Sequence, residues 1–310
     1  MEKGWKMSIK PTRFLPEHIQ EALKTEIAPQ KKATNICIYN FEASNVAADT
    51  VSSYVFSNYD VQVHTMIDRN VPSWVDGSVD VVIMSYSGNS QEVEQVYNGV
   101  KEHTDRIHCV TSGGKLKEFC EKDGMNFIPI PAGLSNAEAT GYEVGVLINL
   151  YESMGINGIR DALLEAMPRI VEYRDRVWNS DYARNIAARM EGKIPVIYCI
   201  GELRAVHKRW KMLINQVAGE LAFSGELPEF DHNEIVSWSE NSDNEDFIIL
   251  MVKSESDSEL LDHIEEAVSS LLKKHGLNME ILEIEGKLME RGLRGIILAD
   301  AVANFLKEVE

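Results

Sequence analysis

Val79-Asp80-Val81-Val82-Ile83-Met84-Ser85-Tyr86-Ser87-Gly88-Asn89-Ser90-Gln91-Glu92 is the stretch from which the fold can be read. Apart from Asp80, its first six residues are apolar and mostly β-branched. That is the habit of a strand covered on both faces, and such strands belong to parallel sheets. The turn that follows is rich in hydroxyls and leads into a helical run over residues 90–102. In open α/β sheets ligands bind at the carboxyl ends of strands, and the N–H groups and dipole at a helix start favour a phosphate there. Gly88 lets the backbone approach a ligand closely. The plain alternative gives Ser90 an N-cap role and leaves the other serines to fill a turn.

Outward from this stretch, strands and helices alternate. A helix is expected over residues 16–27, a strand over 35–39, a helix over 47–57 and a strand over 61–65. On the other side come a strand over 107–111, a helix over 115–122 and a strand over 127–130. The rhythm predicts a doubly wound, flavodoxin-like α/β domain with a parallel sheet flanked by helices. The strand over 107–111 ends in a second turn, Thr111-Ser112-Gly113-Gly114-Lys115-Leu116, with the same succession of hydroxyls, glycines and helix start. Alone it reads equally well as a tight capped turn. Two such turns at the tips of neighbouring strands point to one phosphosugar pocket.

Residues 136–190 read as helical throughout, with breaks expected at 155–158 and at Pro168. A strand then restarts over 194–201, followed by a helix over 205–221, a strand over 246–252 and a helix over 258–275. The order of the first half begins again. Cys37 and Cys199 lie 162 residues apart in their strands, and Asp80 and Asp246 lie 166 apart. The expected organisation is two α/β domains, 1–154 and 193–310, joined by connecting helices over 155–192, with a ligand cleft between them.

Composition narrows the function. The 310 residues are 44% hydrophobic and 26% charged, as in ordinary globular chains. Thirty-one Lys and Arg against 49 Asp and Glu give a formal charge of −18, which repels nucleic-acid phosphate and anionic membrane alike. The expected partners therefore exclude nucleic acid and membrane, and a phosphorylated ligand must be held by hydroxyls, N–H groups and helix N-termini. The four cysteines show no CxxC and the eight histidines no HExxH, so neither a metal site nor a cofactor is expected. With no apolar leader and no eighteen-residue apolar window, a soluble cytoplasmic protein is expected.

The motifs resemble those of sugar isomerase (SIS) domain proteins, and among them the archaeal-type bifunctional phosphoglucose/phosphomannose isomerases. SYSGNS at 85–90 is similar to the family's SYSGNT and TSGGKL at 111–116 to its next loop. Arg209-Trp210-Lys211 is similar to its RWK, and Pro228-Glu229-Phe230-Asp231-His232-Asn233-Glu234-Ile235-Val236-Ser237-Trp238 to its PExNHNEIVGW. The resemblance implies aldose–ketose isomerisation of hexose 6-phosphates, with proton transfer between C1 and C2, in a homodimer whose partner subunit supplies a histidine for ring opening. His232 matches that histidine. The implied phosphosugar contacts are Ser44, Ser85, Ser87, Gly88, Ser90, Thr111, Ser112 and Gly113.

Departures from the family pattern are equally specific. Asn40-Phe41-Glu42-Ala43-Ser44 replaces a glycine-rich GMGGS, keeping its serine. Gln216 stands where the family's NENAK carries its catalytic glutamate, and an amide cannot accept a proton as a carboxylate does. Ala137 stands where an arginine would stabilise the enediolate, and the family's lysine-bearing C-terminal extension has no counterpart. Glu220 and Glu42 are the substitute carboxylates to consider. Turnover far below that of the intact motif is the expectation, and a catalytically degenerate phosphosugar-binding or regulatory protein is the alternative.

Overall fold

Two parallel sheets organise the computed structural model of the chain, which describes residues 11–41, 43–240, 244–254 and 278–309. The chain divides into two compact units, Phe14–Pro168 and, with the short segment ending at Arg13, Arg169–Glu310. In the first, β1 (Asn35–Asn40), β2 (Gln62–Met66), β3 (Asp80–Met84), β4 (Ile107–Thr111) and β5 (Asn126–Pro129) stand in the order β2-β1-β3-β4-β5. The second sheet repeats the plan one strand shorter. There β6 (Ile194–Ile200), β7 (Phe223–Leu227), β8 (Phe247–Lys253) and β9 (Asn278–Glu283) stand in the order β7-β6-β8-β9. Every pairing is parallel, so both units have the doubly wound α/β plan read from the sequence.

In the first unit the period of two along β1 and β3 sorts side chains between two helical layers. Cys37, Tyr39, Phe41, Val81 and Ile83 share one core with Val93, Val96 and Tyr97 of α3 (Gln91–Val100) and with Leu116 and Cys120 of α4 (Gly114–Asp123). The opposite layer holds α2 (Ser44–Asn58) and α5 (Asn136–Ser153), with α1 (Leu15–Ala22) packed on α5. Apart from Glu138, α5 is buried from Asn136 to Tyr151, which explains its lack of a polar stripe. Its start is fixed by a capping box in which Ser135 and Glu138 satisfy each other's backbone N–H groups.

The repeat is one of topology and not of residue offsets. Cys37 pairs with Val81, one residue after Asp80, whereas Cys199 pairs with Val252, six residues after Asp246. The two cysteines therefore occupy different rungs of their sheets. All four cysteines are buried free thiols.

Three expectations are corrected. The helix expected to break at Pro168 runs unbroken as α6 (Ile159–Asn179). Leu164, whose carbonyl a proline at 168 cannot pair, is exposed, so the lost bond leaves no buried carbonyl to satisfy. The break falls instead at Ser180, whose hydroxyl caps α7 (Asp181–Met190). The helix expected over 205–221 ends earlier. α8 (Arg204–Leu213) passes into a π-helical turn over Ile214–Ala218, and Gly219, at φ 79°, stops it in the left-handed region. Strands β7 and β9 were unforeseen because their sequences, Phe-Ser-Gly-Glu-Leu and Asn-Met-Glu-Ile-Leu-Glu, carry little apolar density. The helix expected over 258–275 lies outside the described residues.

In the second unit α8 packs on α11 (Leu288–Val309), the last helix. Between them Arg209 is fully buried and forks onto Asp300, Nε to Oδ2 at 3.0 Å and Nη2 to Oδ1 at 2.7 Å. The Thr12 N–H completes the shell of that carboxylate at 2.8 Å. The arginine of RWK is thus a packing residue. No helix among the described residues is long and apolar enough to cross a membrane.

At the amino end of the first sheet, Asp80 is 2% exposed and accepts from Arg106 Nε at 3.1 Å and from His108 Nε2 at 3.0 Å. Asn126 Nδ2 lies 3.0 Å from the other ring nitrogen of that histidine. Burial alone would raise the Asp80 carboxyl, but the hydrogen bonds and charges of His108 and Arg106 outweigh it and hold the group below the usual range. A depressed folded pKa contributes stability that is present above the unfolded value near ~3.9 and is lost as pH falls through the folded value. Asp80→Asn is therefore expected to destabilise the protein by about 1–3 kcal/mol at pH 7. Urea titrations should show the gap from wild type narrowing as pH is lowered through the carboxylate range; a gap of unchanged size down to the acid limit of folding would mean that the carboxylate charge is not its source.

Candidate functional site

β3 and β4 end side by side, because Met84 pairs with Val110. The Ser85 N–H donates to Val110 O at 3.1 Å and extends the ladder one rung beyond the strand. Past that point the two turns are stitched together. The N–H and the hydroxyl of Ser112 both donate to the Tyr86 carbonyl, at 3.0 and 2.7 Å. Thr111 Oγ1 donates toward the same carbonyl at 3.2 Å and toward Gly113 O at 2.9 Å. The Leu116 N–H reaches Gly88 O at 3.0 Å, and the Lys115 N–H reaches Asn89 Oδ1 at 3.1 Å.

Two glycines make this approach possible. Gly88 (φ 64°) and Gly114 (φ 69°) are left-handed, and a Cβ would lie 2.2 Å from Gly113 O in the first case and 2.3 Å from Ser87 O in the second. Each glycine is demanded by the backbone of the opposite turn as well as by its own φ.

Counting hydroxyl hydrogens separates the serines and threonine by role, since each hydroxyl has one to give. Thr111 and Ser112 spend theirs on main-chain carbonyls and hold the turns together. Ser85 is fully buried, and its Oγ accepts from the Gly88 N–H at 3.2 Å, which shapes the turn. Ser87 is half-buried, and its Oγ accepts from the Asn89 N–H at 3.4 Å, leaving its hydrogen for an incoming anion. Ser90 is the N-cap of α3, accepting from the Val93 N–H at 3.4 Å.

Glu92 occupies part of this helix start. Its own backbone N–H, then the Arg69 charge and the Ser90 hydroxyl hold its carboxyl below the usual range, with Arg69 Nη2 at 3.0 Å from Oε1. The donors at the start of α3 are thus already engaged by an anionic group, the chemistry a phosphate would use.

The other residues singled out from the sequence lie elsewhere. Ser44 is buried at the start of α2, where its hydroxyl donates to Glu143 Oε1 of α5 at 2.5 Å. Ala137 is buried in the first turn of α5. Glu42 lies outside the described residues.

Gln216 and His232 belong to the second unit. Gln216 is exposed on the π-helical turn. Glu220 follows the left-handed Gly219, so it is off the helix rather than one turn along its face; it lines a cavity of about 130 Å³ with Lys193 and Pro195, at the amino end of β6. His232 closes the short helix α9 (Glu229–His232), which precedes α10 (Glu234–Glu240). Phe230 anchors α9 in the core against Tyr198, ring centroids 4.4 Å apart, while His232 stays exposed. Among the described residues no three His, Cys, Asp or Glu side chains come together as metal ligands.

Residues 179–308 match the family described as the bacterial phospho-glucose isomerase C-terminal SIS domain. A bifunctional phosphoglucose/phosphomannose isomerase of Caldicellulosiruptor bescii is 32% identical over 234 residues, covering 72% of this chain and 69% of that protein. The chain belongs to that isomerase family. A D-glucosamine-6-phosphate 4-epimerase of Sulfolobus acidocaldarius is 29% identical over 294 residues, 93% of this chain and 87% of that protein. Among solved structures, the C-terminal domain of glucosamine-fructose-6-phosphate aminotransferase from Francisella tularensis superposes with a TM-score of 0.74 at 13% identity, covering 96% of this chain and 94% of that one. At that identity the likeness is one of fold.

Set against the isomerase motifs, the structure adds two residues that sequence reasoning passed over. Glu143 is a buried acid within an otherwise apolar helix, a signal visible in the sequence. Asn40, the last residue of β1, is a buried amide whose state depends on what surrounds it. The stitched turns predict that Gly88→Ala disrupts both at once, with a loss of stability above ~1–2 kcal/mol from the left-handed backbone before any clash is counted. Thermal unfolding and phosphate titration of that variant should fall together; an unchanged melting temperature would contradict the close approach of the turns.

Proposed function

We propose that the chain binds a hexose 6-phosphate with its phosphate at the start of α3, held by the Ser87 hydroxyl and by backbone N–H groups, with the Ser90 hydroxyl joining them once the phosphate displaces Glu92, while Ser85, Gly88, Thr111, Ser112 and Gly113 shape the turns. The observation that carries this reading is the pair of stitched turns at adjacent strand tips, with an anionic group already drawn to the helix start. The reaction proposed is the family's aldose–ketose isomerisation, at a rate lowered by the amide at Gln216 and the missing cation at Ala137. A positioned general base contributes roughly 10²–10⁴-fold and an electrostatic stabiliser on the order of 10²–10³-fold.

A second reading is favoured by a specific observation. The relative named as a D-glucosamine-6-phosphate 4-epimerase matches 93% of this chain, and the carboxylate and cation of C1–C2 proton transfer are the groups replaced here. An amino-sugar phosphate altered at C4 would need neither in the family's position.

The protein is further proposed to be a cytoplasmic homodimer. Four buried free thiols support a reducing compartment. The apolar helix α5 is consumed within its own unit, so support for the dimer comes from exposed Leu221, Phe223 and Val236, on the same stretch of chain as His232. Such a surface would let a second copy bring its His232 to a neighbouring site. A monomer in sedimentation at micromolar concentration would remove that role.

Incubation with glucose, mannose, fructose and glucosamine 6-phosphates, followed by NMR, separates the readings. Solvent deuterium at C1 or C2 marks isomerisation, inversion at C4 marks epimerisation, and saturable binding with neither marks a regulator. Isomerisation is expected at least ~100-fold below that of the Caldicellulosiruptor relative under the same conditions. Rapid turnover untouched by Gln216→Ala would mean that another group serves as base. The double variant Ser87→Ala/Ser90→Ala is expected to lose about 1.5–3 kcal/mol of phosphosugar binding free energy per charge-assisted bond removed. Calorimetry with unaltered affinity would place the phosphate elsewhere.

A further inference from the structure

We propose that the side-chain amide of Asn40 reads the sugar, hydrogen-bonding a hydroxyl or amino substituent of the hexose 6-phosphate at the carboxyl end of β1. The inference rests on the phosphosugar reading above and adds to it the residue that sets sugar preference.

Asn40 is 3% exposed, and among the described residues neither Nδ2 nor Oδ1 has a hydrogen-bond partner. A primary amide offers two donors and an acceptor, and buried polar groups are almost always satisfied. A buried amide with both ends idle is a standing destabilisation, and nothing in the strand requires it. Ser44, nearby in the chain, gives its one hydroxyl hydrogen to Glu143 and makes no bond to either end of the amide.

Position supplies the second argument. Asn40 ends β1 and pairs with Met84, so it stands one rung before Ser85 and the phosphate-binding turns. The sheet changes direction between β1 and β3: the chain leaves β1 for β2 on one side and then returns to place β3 on the other. A crevice opens at the carboxyl ends of strands where this reversal occurs. Cys37, Tyr39 and Phe41 face the α3–α4 core, so alternation puts Asn40 on the other face, the one carrying Ser44 and Glu143. A sugar ring whose phosphate lies at the start of α3 has its polar substituents at the level of this strand end.

The test is Asn40→Leu, similar in volume and without polar atoms, with Asn40→Ala as a second variant should the first not fold. Calorimetry is run with inorganic phosphate, glucose 6-phosphate and glucosamine 6-phosphate, beside thermal unfolding. The expected result is a raised melting temperature for Asn40→Leu, unchanged affinity for inorganic phosphate and about tenfold weaker binding of a sugar phosphate. A loss shared by both sugar phosphates assigns a hydroxyl as the group read; a loss confined to glucosamine 6-phosphate assigns the amine. Unchanged sugar-phosphate affinity in both variants, or an equal loss for inorganic phosphate, overturns the proposal. Failure of the wild-type protein to bind either sugar phosphate overturns the phosphosugar reading instead.

Discussion

Parallel pairing of β3 with β1 on one side and β4 on the other is the constraint from which the first unit and its site follow. A parallel ladder delivers all carboxyl ends to one edge and requires helices on both faces to connect the strands. The helix after each strand therefore begins at that same edge, and its unpaired N–H groups gather beside those of its neighbours. Two turns forced to start from adjacent tips then share donors and carbonyls, and only glycine at 88 and 114 can stand so close. The far end of β3 is held as firmly, by the buried Asp80 between Arg106 and His108.

A chain with a formal charge of −18 that handles a phosphate must do so locally. Long-range attraction is unfavourable, so the means available are short-range, such as helix starts and hydroxyl hydrogens. Glu92 is held below the usual carboxylate range there by its own backbone N–H, by Arg69 and by the Ser90 hydroxyl. Among the described residues two cations stand at this helix start, Arg69 paired with Glu92 and Lys115 paired with Glu94.

The second unit shows how conserved-looking letters divide between packing and chemistry. Arg209 of the RWK segment is spent on Asp300, an interaction whose removal would leave an uncompensated buried carboxylate. The neighbouring segment ends in a π-helical turn closed by Gly219, which carries Gln216 outward and takes Glu220 off the helix. Pi-helical turns recur at functional sites, and this one holds the exposed Gln216.

The sequence by itself determined the parallel α/β plan, the doubling of that plan and the two strand-end turns. Those features rest on local signals: β-branched runs, glycines, and hydroxyls next to a helix start act within a few residues of each other. It did not determine β7 and β9, whose polar sequences become strands only because a neighbouring strand offers them a ladder. Nor did it separate the hydroxyls, because whether Thr111 or Ser112 has a hydrogen to give depends on the Tyr86 carbonyl in the opposite turn. Asn40 makes the difference plainest. Its letter at the end of a strand is unremarkable, and only the tertiary packing, by burying the amide with no partner among the described residues, turns it into a residue in want of a ligand.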